Sequence, residues 1–236
     1  MQQNVVGNIA SFETMGLVDG PGVRFVVFMQ GCPLRCAYCH NPEMWNVNES
    51  KTKMTPEELV KKIKRYKVYF KEEGGVTISG GEPLLQAEFV KEVFKLCKQE
   101  NINTCLDTSG CGDNYEELLD YCDLVLLDVK ELNPKKYKSL VGKEIDKFSK
   151  FLKVCQEKNK KMWLRQVIVP GYNDTKENVL ALKDFADKLH NIEKIELLPY
   201  HNMAIKKYKE LKIPYRLENV PQMDKKKCKD LEKYLA

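Results

Sequence analysis

The chain has 236 residues, 43% hydrophobic and 31% charged, which excludes collagen-like, coiled-coil and disordered readings because the apolar material suffices for a core. Lysine and arginine number 39 against 34 acidic residues, a formal charge of +5; that is too small to argue for nucleic acid and suits an anionic or acidic partner. No run of about 18 apolar residues occurs, so no membrane span is expected. The opening MQQNVVGNIASFETMG lacks a basic segment followed by an apolar one, so no export signal is expected. Nine cysteines without such a signal point to reduced thiols in a cytoplasmic protein, used for metal or catalysis rather than for disulfides.

Strands and helices alternate along the chain. VRFVVFMQ (23–30) is nearly continuous in β-branched and aromatic residues, the pattern of a strand buried on both faces. A cysteine-rich loop occupies 31–42. From Thr55 a helix is expected: Thr55 caps, Pro56 takes the first helical position, Glu58 closes a capping box, and Leu59, Ile63 and Tyr66 recur on one face through TPEELVKKIKRYKVYF. Further strands are expected at 76–81, 103–110, 123–130, 161–171 and 194–200. Helices are expected at 85–99, 113–122, 133–140, 145–158 and 173–191, with a lysine-rich helix over 221–235 at the end. No repeat, low-complexity segment or linker interrupts the pattern, so one domain over 1–236 is expected, within the roughly 200–250 residues that barrel-type α/β units use. Six β-then-α units imply α/β architecture, a parallel sheet with right-handed crossovers and outer helices. Periodicity leaves an open sheet and a partial barrel equally open.

Polar residues of unusual type collect where these strands end: Cys32 after the first, Gly80, Gly81 and Glu82 after the second, Asp107 in the third, Asp128 and Lys130 closing the fourth, and His201 after the sixth. Parallel α/β folds bind ligands at that end of the sheet, so one shared site is expected there.

Cys32, Cys36 and Cys39 are spaced C-x3-C-x2-C in one compact loop. Such thiolates fit a cubane 4Fe–4S cluster, each sulfur on a different iron. Three ligands for four irons leave one iron open, which favours chemistry over plain electron transfer. Zinc, with His40 or His201 as fourth ligand, and simple packing of buried thiols are the competing readings.

The motif, with Tyr38 just before its last cysteine, resembles that of the radical S-adenosylmethionine superfamily, and SGGEP (79–83) is similar to its glycine-glycine-glutamate motif. The order and spacing of SFETMGLVDGPGVRFVVFMQGCPLRCAYCHNPEMW, GGVTISGGEPLLQAEFV, TCLDTSG, LLDVK, RQVIVPGYND and KIELLPYH resemble the pyruvate formate-lyase activating enzyme family over about residues 7–201. The resemblance implies a partial (β/α)6 barrel of TIM type. It implies that S-adenosylmethionine, chelated at the open iron, is cleaved reductively, and that the 5′-deoxyadenosyl radical removes a Cα hydrogen from a glycine of pyruvate formate-lyase. No acid–base constellation is needed for that reaction.

Residue by residue, the resemblance assigns ligand contact to Tyr38, Cys39 and His40 beside the cluster, and to Gly80, Gly81 and Glu82, of which the glycines would let backbone approach the ligand. It adds Asp128, Val129 and Lys130, with Arg165 and His201. A buried Arg165 needs an anion, either the ligand's carboxylate or a nearby acid. Asp107, Thr108 and Asp128 match positions that hold a monovalent cation, and Asp19 in VDGPG (18–22) one that grips the partner's glycine loop. Its DGPG is also a strong turn signal unaided. Lys51, Lys53, Lys61, Lys62, Lys64 and Lys67 are either a solvated helix face or a greeting surface for an acidic electron donor of flavodoxin or ferredoxin type. A monomer is expected. No cysteine lies between Cys39 and Gly80, which favours the short activases over those with inserted extra clusters. An activase for anaerobic ribonucleotide reductase or a related enzyme, and a non-enzymatic iron–sulfur or zinc module, are the alternatives.

Overall fold

The six apolar runs read as strands are strands in the computed structural model, which describes residues 5–235. They are β2 (Arg24–Met29), β4 (Gly75–Gly80), β5 (Asn103–Thr108), β6 (Leu124–Asp128), β7 (Lys161–Ile168) and β8 (Ile192–Pro199). All pair in parallel with their neighbours, in that order. Two strands that patterning does not predict extend the sheet antiparallel on one side: β1 (Gly7–Gly16) pairs with β2, and β3 (Thr52–Met54) with β1. The order is β3-β1-β2-β4-β5-β6-β7-β8. Its two end strands are not paired with each other, so the sheet is open and the barrel partial.

The helices are α1 (Pro56–Lys64), α2 (Lys67–Phe70), α3 (Ala87–Gln99), α4 (Glu116–Asp120), α5 (Pro134–Val141), α6 (Asp146–Glu157), α7 (Lys176–Ala186), α8 (Ile205–Glu210) and α9 (Lys225–Glu232). The capping box of α1 forms as read, Glu58 N–H donating to Thr55 Oγ1 and Thr55 N–H to Glu58 Oε2. The helix breaks after Lys64 instead of running on to Phe70. Helix α8 is not foreseen. The last helix is shorter than 221–235, because Asp224 accepts from Lys226 and Lys227 N–H and so starts it at Lys225. No helix among the described residues is long and apolar enough to cross a membrane.

Strand alternation sorts side chains between two faces. Phe25, Val27 and Met29 of β2, like Val125 and Leu127 of β6, join the main core under the helices. Cys105, Leu124 and Leu126 form a small apolar layer with Trp163 on the other face. There too lies Arg24, fully buried. Its Nε donates to Thr77 Oγ1 (3.0 Å), Nη2 to the Val76 carbonyl (2.6 Å), and Nη1 to Asn103 Oδ1 (2.9 Å) and the Glu73 carbonyl (3.2 Å). Thr77 Oγ1 donates in turn to the Asp19 carbonyl (2.6 Å), which pins the β1–β2 turn to the N-terminal end of the sheet.

Candidate active site

A cavity of about 280 Å³ opens at the C-terminal ends of the parallel strands. Its lining brings together Cys32, Cys36, Cys39, Tyr38, His40, Gly80, Gly81, Asp107, Thr108, Asp128, Lys130 and Arg165, so most of the predicted residues do share one site. Backbone hydrogen bonds hold the cysteine loop. Gly31 N–H donates to the Met44 carbonyl (2.8 Å), Cys32 N–H to Trp45 (3.1 Å) and Cys39 N–H to Cys36 (3.0 Å). The three thiols are free and half-buried, whereas the other six cysteines are buried. Burial pushes the Cys32 thiol up and the Cys36 thiol up to about 11, with Lys130 opposing the shift at Cys36. Crowded thiols in that state become thiolates only beside a strong positive charge, which a metal cluster supplies. Among the described residues no three His, Cys, Asp or Glu side chains converge on one point as a single ion requires. A cubane instead places each thiolate on its own iron. His40 is poorly placed as a zinc ligand, since its Nε2 lies 2.9 Å from the His201 carbonyl.

The same cavity carries a charged wall. Lys130 Nζ lies 2.6 Å from Asp128 Oδ2 and 5.6 Å above the Tyr38 ring. Burial works against the Lys130 charge, but Asp128 and Tyr38 outweigh it and hold its pKa well above the ordinary lysine value. Ser79 Oγ donates to Asp107 Oδ2 (2.6 Å). Arg165 Nη1 is 3.6 Å from Asp107 Oδ1, and its Nε is 3.5 Å from Glu196 Oε2. Arg165 Nε and Glu196 Oε2 are buried with no hydrogen-bond partner, so the anion that Arg165 requires is supplied loosely, by two acids of the chain. Burial raises the Asp107 carboxyl to about 6; Arg165 opposes this and Asp128 adds to it. The His40 ring stacks on that of His201 with centroids 3.7 Å apart. Burial and His201 push His40 down to about 4, so it is neutral near pH 7.

Four predicted residues do not line the cavity. The Glu82 carboxylate is fully buried and is consumed by the protein. Oε1 accepts from Thr108 Oγ1 (2.5 Å) and Leu84 N–H (3.1 Å), and Oε2 from Ser109 N–H (2.9 Å) and Ser109 Oγ. Val129 belongs to the main core, because alternation along the strand sends Asp128 and Lys130 to the site and Val129 away from it. His201 reaches the site only through His40. Asp19 lies in the turn beneath it, its carboxyl pushed up by burial and drawn down by Arg165. The two glycines do line the cavity, but their smallness serves the protein. A Cβ at Gly80 (φ +112°) would fall 2.3 Å from Met29 N, and one at Gly81 2.2 Å from the Gly31 carbonyl oxygen. They let β4 close against β2, where Gly81 and Glu82 N–H donate to the Met29 and Gly31 carbonyls.

Sequence reasoning did not single out Ser79 or Glu196. Each carried a signal: Ser79 shares a strand face with Thr77, and Glu196 interrupts KIELLPY level with Arg165 in the sheet register.

Residues 26–186 match the radical SAM superfamily. The chain is 52% identical over 233 residues to the pyruvate formate-lyase-activating enzyme of Clostridium pasteurianum, covering 98% of both chains. The chain belongs to this family. With the enzyme of the same name from Staphylococcus epidermidis it is 44% identical over 238 residues, 97% of this chain and 95% of the other. In fold it is similar to a radical SAM methyltransferase from Sphaerobacter thermophilus, with a TM-score of 0.63 at 15% identity over 90% of this chain and 63% of that one. The cofactors of this radical SAM chain are a 4Fe–4S cluster and S-adenosylmethionine.

Proposed function

We propose that the chain activates pyruvate formate-lyase, and that Cys32, Cys36 and Cys39 hold the cluster. The observation that carries this reading is near full-length identity to pyruvate formate-lyase-activating enzymes in a chain whose three motif cysteines line one cavity. The cofactors supply reductive cleavage of S-adenosylmethionine and the 5′-deoxyadenosyl radical that takes a Cα hydrogen from a glycine of the lyase. The protein's own part is to bind, orient and exclude.

Asp128 and Lys130 project to one face and reach the ribose and carboxylate of S-adenosylmethionine; the Lys130 charge, stabilised by Asp128, is ready for an anion. Arg165, with its Nε unspent, adds a second cationic donor. Asp107, Thr108 and Asp128 offer hard oxygens to a monovalent cation. Tyr38, Cys39 and neutral His40 line the ligand's side of the loop, with His201 behind His40. Glu82 acts at one remove by holding Thr108 and Ser109. Asp19, on a turn pinned by Thr77, meets the partner's glycine loop. The setting is cytoplasmic, with a monomeric activase and a flavodoxin- or ferredoxin-type donor.

The test is electron paramagnetic resonance after anaerobic reconstitution, reduction, and addition of S-adenosylmethionine and purified pyruvate formate-lyase. A glycyl-radical doublet that depends on S-adenosylmethionine is expected. A reduced-cluster signal without the doublet would move the partner to another glycyl-radical enzyme, and no cluster signal would overturn the reading.

A further inference from the structure

The cysteine loop has an outer side as well as the one that lines the cavity. That outer side is laid along the end of α5, where Arg35 N–H donates to the Val141 carbonyl (2.8 Å) and Ala37 N–H to Leu140 (2.9 Å). Arg216 staples loop and helix together, its Nη1 3.3 Å from both the Arg35 and Leu140 carbonyls and its Nη2 2.5 Å from that of Ser139. Against this seam lies a second cavity of about 340 Å³. Tyr38 and Lys130 line both cavities, so a single layer of side chains divides the outer groove from the thiols.

The groove is basic. Lys136 and Arg216 line it, with the Tyr172 ring, 57% exposed, beside them. Glu131 is the one acid among its described lining residues, and its Oε1 already accepts from Leu132 and Asn133 N–H. The lysines of α1 and α2 sit at the other end of the sheet. Lys64 Nζ is 2.7 Å from Glu100 Oε1, and Lys67 Nζ donates to the Glu100 carbonyl (2.5 Å). Glu100 closes α3 just before β5 begins, at the N-terminal end of the sheet. A strand of six residues puts about 20 Å between that end and the cysteine loop.

Reductive cleavage consumes one electron that the chain does not itself hold. We infer that the groove bounded by Tyr38, Lys136, Tyr172 and Arg216 is the docking face of an acidic one-electron carrier protein. The carrier is oxidised by one electron there as the cluster is reduced by one. The inference rests on the proposed function and adds the place of electron entry; opposite charge on the two faces would steer and orient the encounter.

The test uses Lys136→Glu and Lys64→Glu in the reconstituted protein, with a purified flavodoxin as the probe. Lys136 lies in the first turn of α5, where an acid suits the helix dipole, so the variant keeps its fold. Binding of flavodoxin to Lys136→Glu is expected to weaken roughly three- to tenfold at low salt, and the gap to close as salt screens it. Cluster reduction by reduced flavodoxin slows in parallel, while reduction by dithionite is unchanged. Lys64→Glu behaves as the parent. Unaltered flavodoxin binding in Lys136→Glu, or weakening in Lys64→Glu instead, overturns the inference and leaves the function standing. A parent protein that cleaves no S-adenosylmethionine with dithionite removes the functional reading and this inference with it.

Discussion

At the scale of single residues, a carboxylate whose oxygens already take donors from Leu84, Thr108 and Ser109 has little left for a ligand, and that is the state of Glu82. Glu82→Gln turns one acceptor into a donor facing other donors, at a cost of about 1–3 kcal/mol. Melting of the cofactor-free protein is expected to fall by about 2–12 °C, on the scaling of roughly 2–4 °C per kcal/mol for a chain of this size. A residue that served only the ligand would leave that melt unmoved. Cys36→Ser is the opposite case, with the cofactor-free fold kept and both iron loading and S-adenosylmethionine cleavage lost, as read by iron analysis and product chromatography. Two titrations bear on pH. Asp107 keeps its proton to about 6 in the folded state, against an ordinary value of 3.8, so its stabilising contribution is full below 3.8 and is lost as pH rises through about 6. His40, pushed down to about 4, contributes fully above its ordinary 6.5 and loses that as pH falls through about 4. The two oppose each other between about 4 and 6, so melting is a poor readout there and ligand affinity a good one. Binding of S-adenosylmethionine is expected to strengthen as pH rises through about 6, where Asp107 becomes ionised, and Asp107→Asn to flatten that rise; calorimetry from pH 5 to 8 checks both.

At the scale of elements, what the sequence discloses is what repeats with a period. Apolar runs such as VRFVVFMQ and DLVLLDVK stand out in composition, and Asp128 and Lys130 fall on the site side by alternation alone. Strand β1 does not stand out, because only three of its ten residues, Gly7, Ile9 and Gly16, are buried and it pairs antiparallel at the flank of the sheet. Strand β3 has only three residues. Who bonds to whom is equally hidden: nothing in the spelling of SGGEP says that Glu82 turns inward, or that Arg24 inside VRFVVFMQ spends its guanidinium on neutral acceptors. Those outcomes depend on which strands become neighbours. The Arg24–Thr77 latch gives the element-scale prediction. Thr77→Val removes the donor to the Asp19 carbonyl and the acceptor of Arg24 Nε, a cost of about 1–3 kcal/mol. Because it frees the Asp19 turn without touching the cavity, KM for the partner lyase is expected to rise several-fold. Cleavage of S-adenosylmethionine measured without the lyase stays near the parent's. Equal losses in both assays would show that the turn does not serve the partner.

At the scale of the whole molecule, the question is whether the fold needs its cofactor. Small zinc domains do, because metal binding there is the folding free energy. Here the main core runs through the strands and the helices that cover them, and the cysteine loop is tied to Met44, Trp45, Leu140 and Val141 by backbone hydrogen bonds that require no iron. Arg216 adds its staple to the loop from the C-terminal segment. Removing iron therefore deletes one local set of bonds inside a frame that closes without them. Stripped of iron by a chelator under reducing conditions, the protein is expected to keep its far-ultraviolet circular dichroism and a single cooperative melt. Faster amide exchange should be confined to the cysteine loop, about residues 33–41, and be least at the Arg35 and Ala37 amides that anchor it to Val141 and Leu140. Loss of the cooperative transition on chelation would instead mean that the cluster, rather than the sheet and its covering helices, holds the C-terminal ends of the strands together, and the site would then be assembled by its cofactor instead of waiting for it.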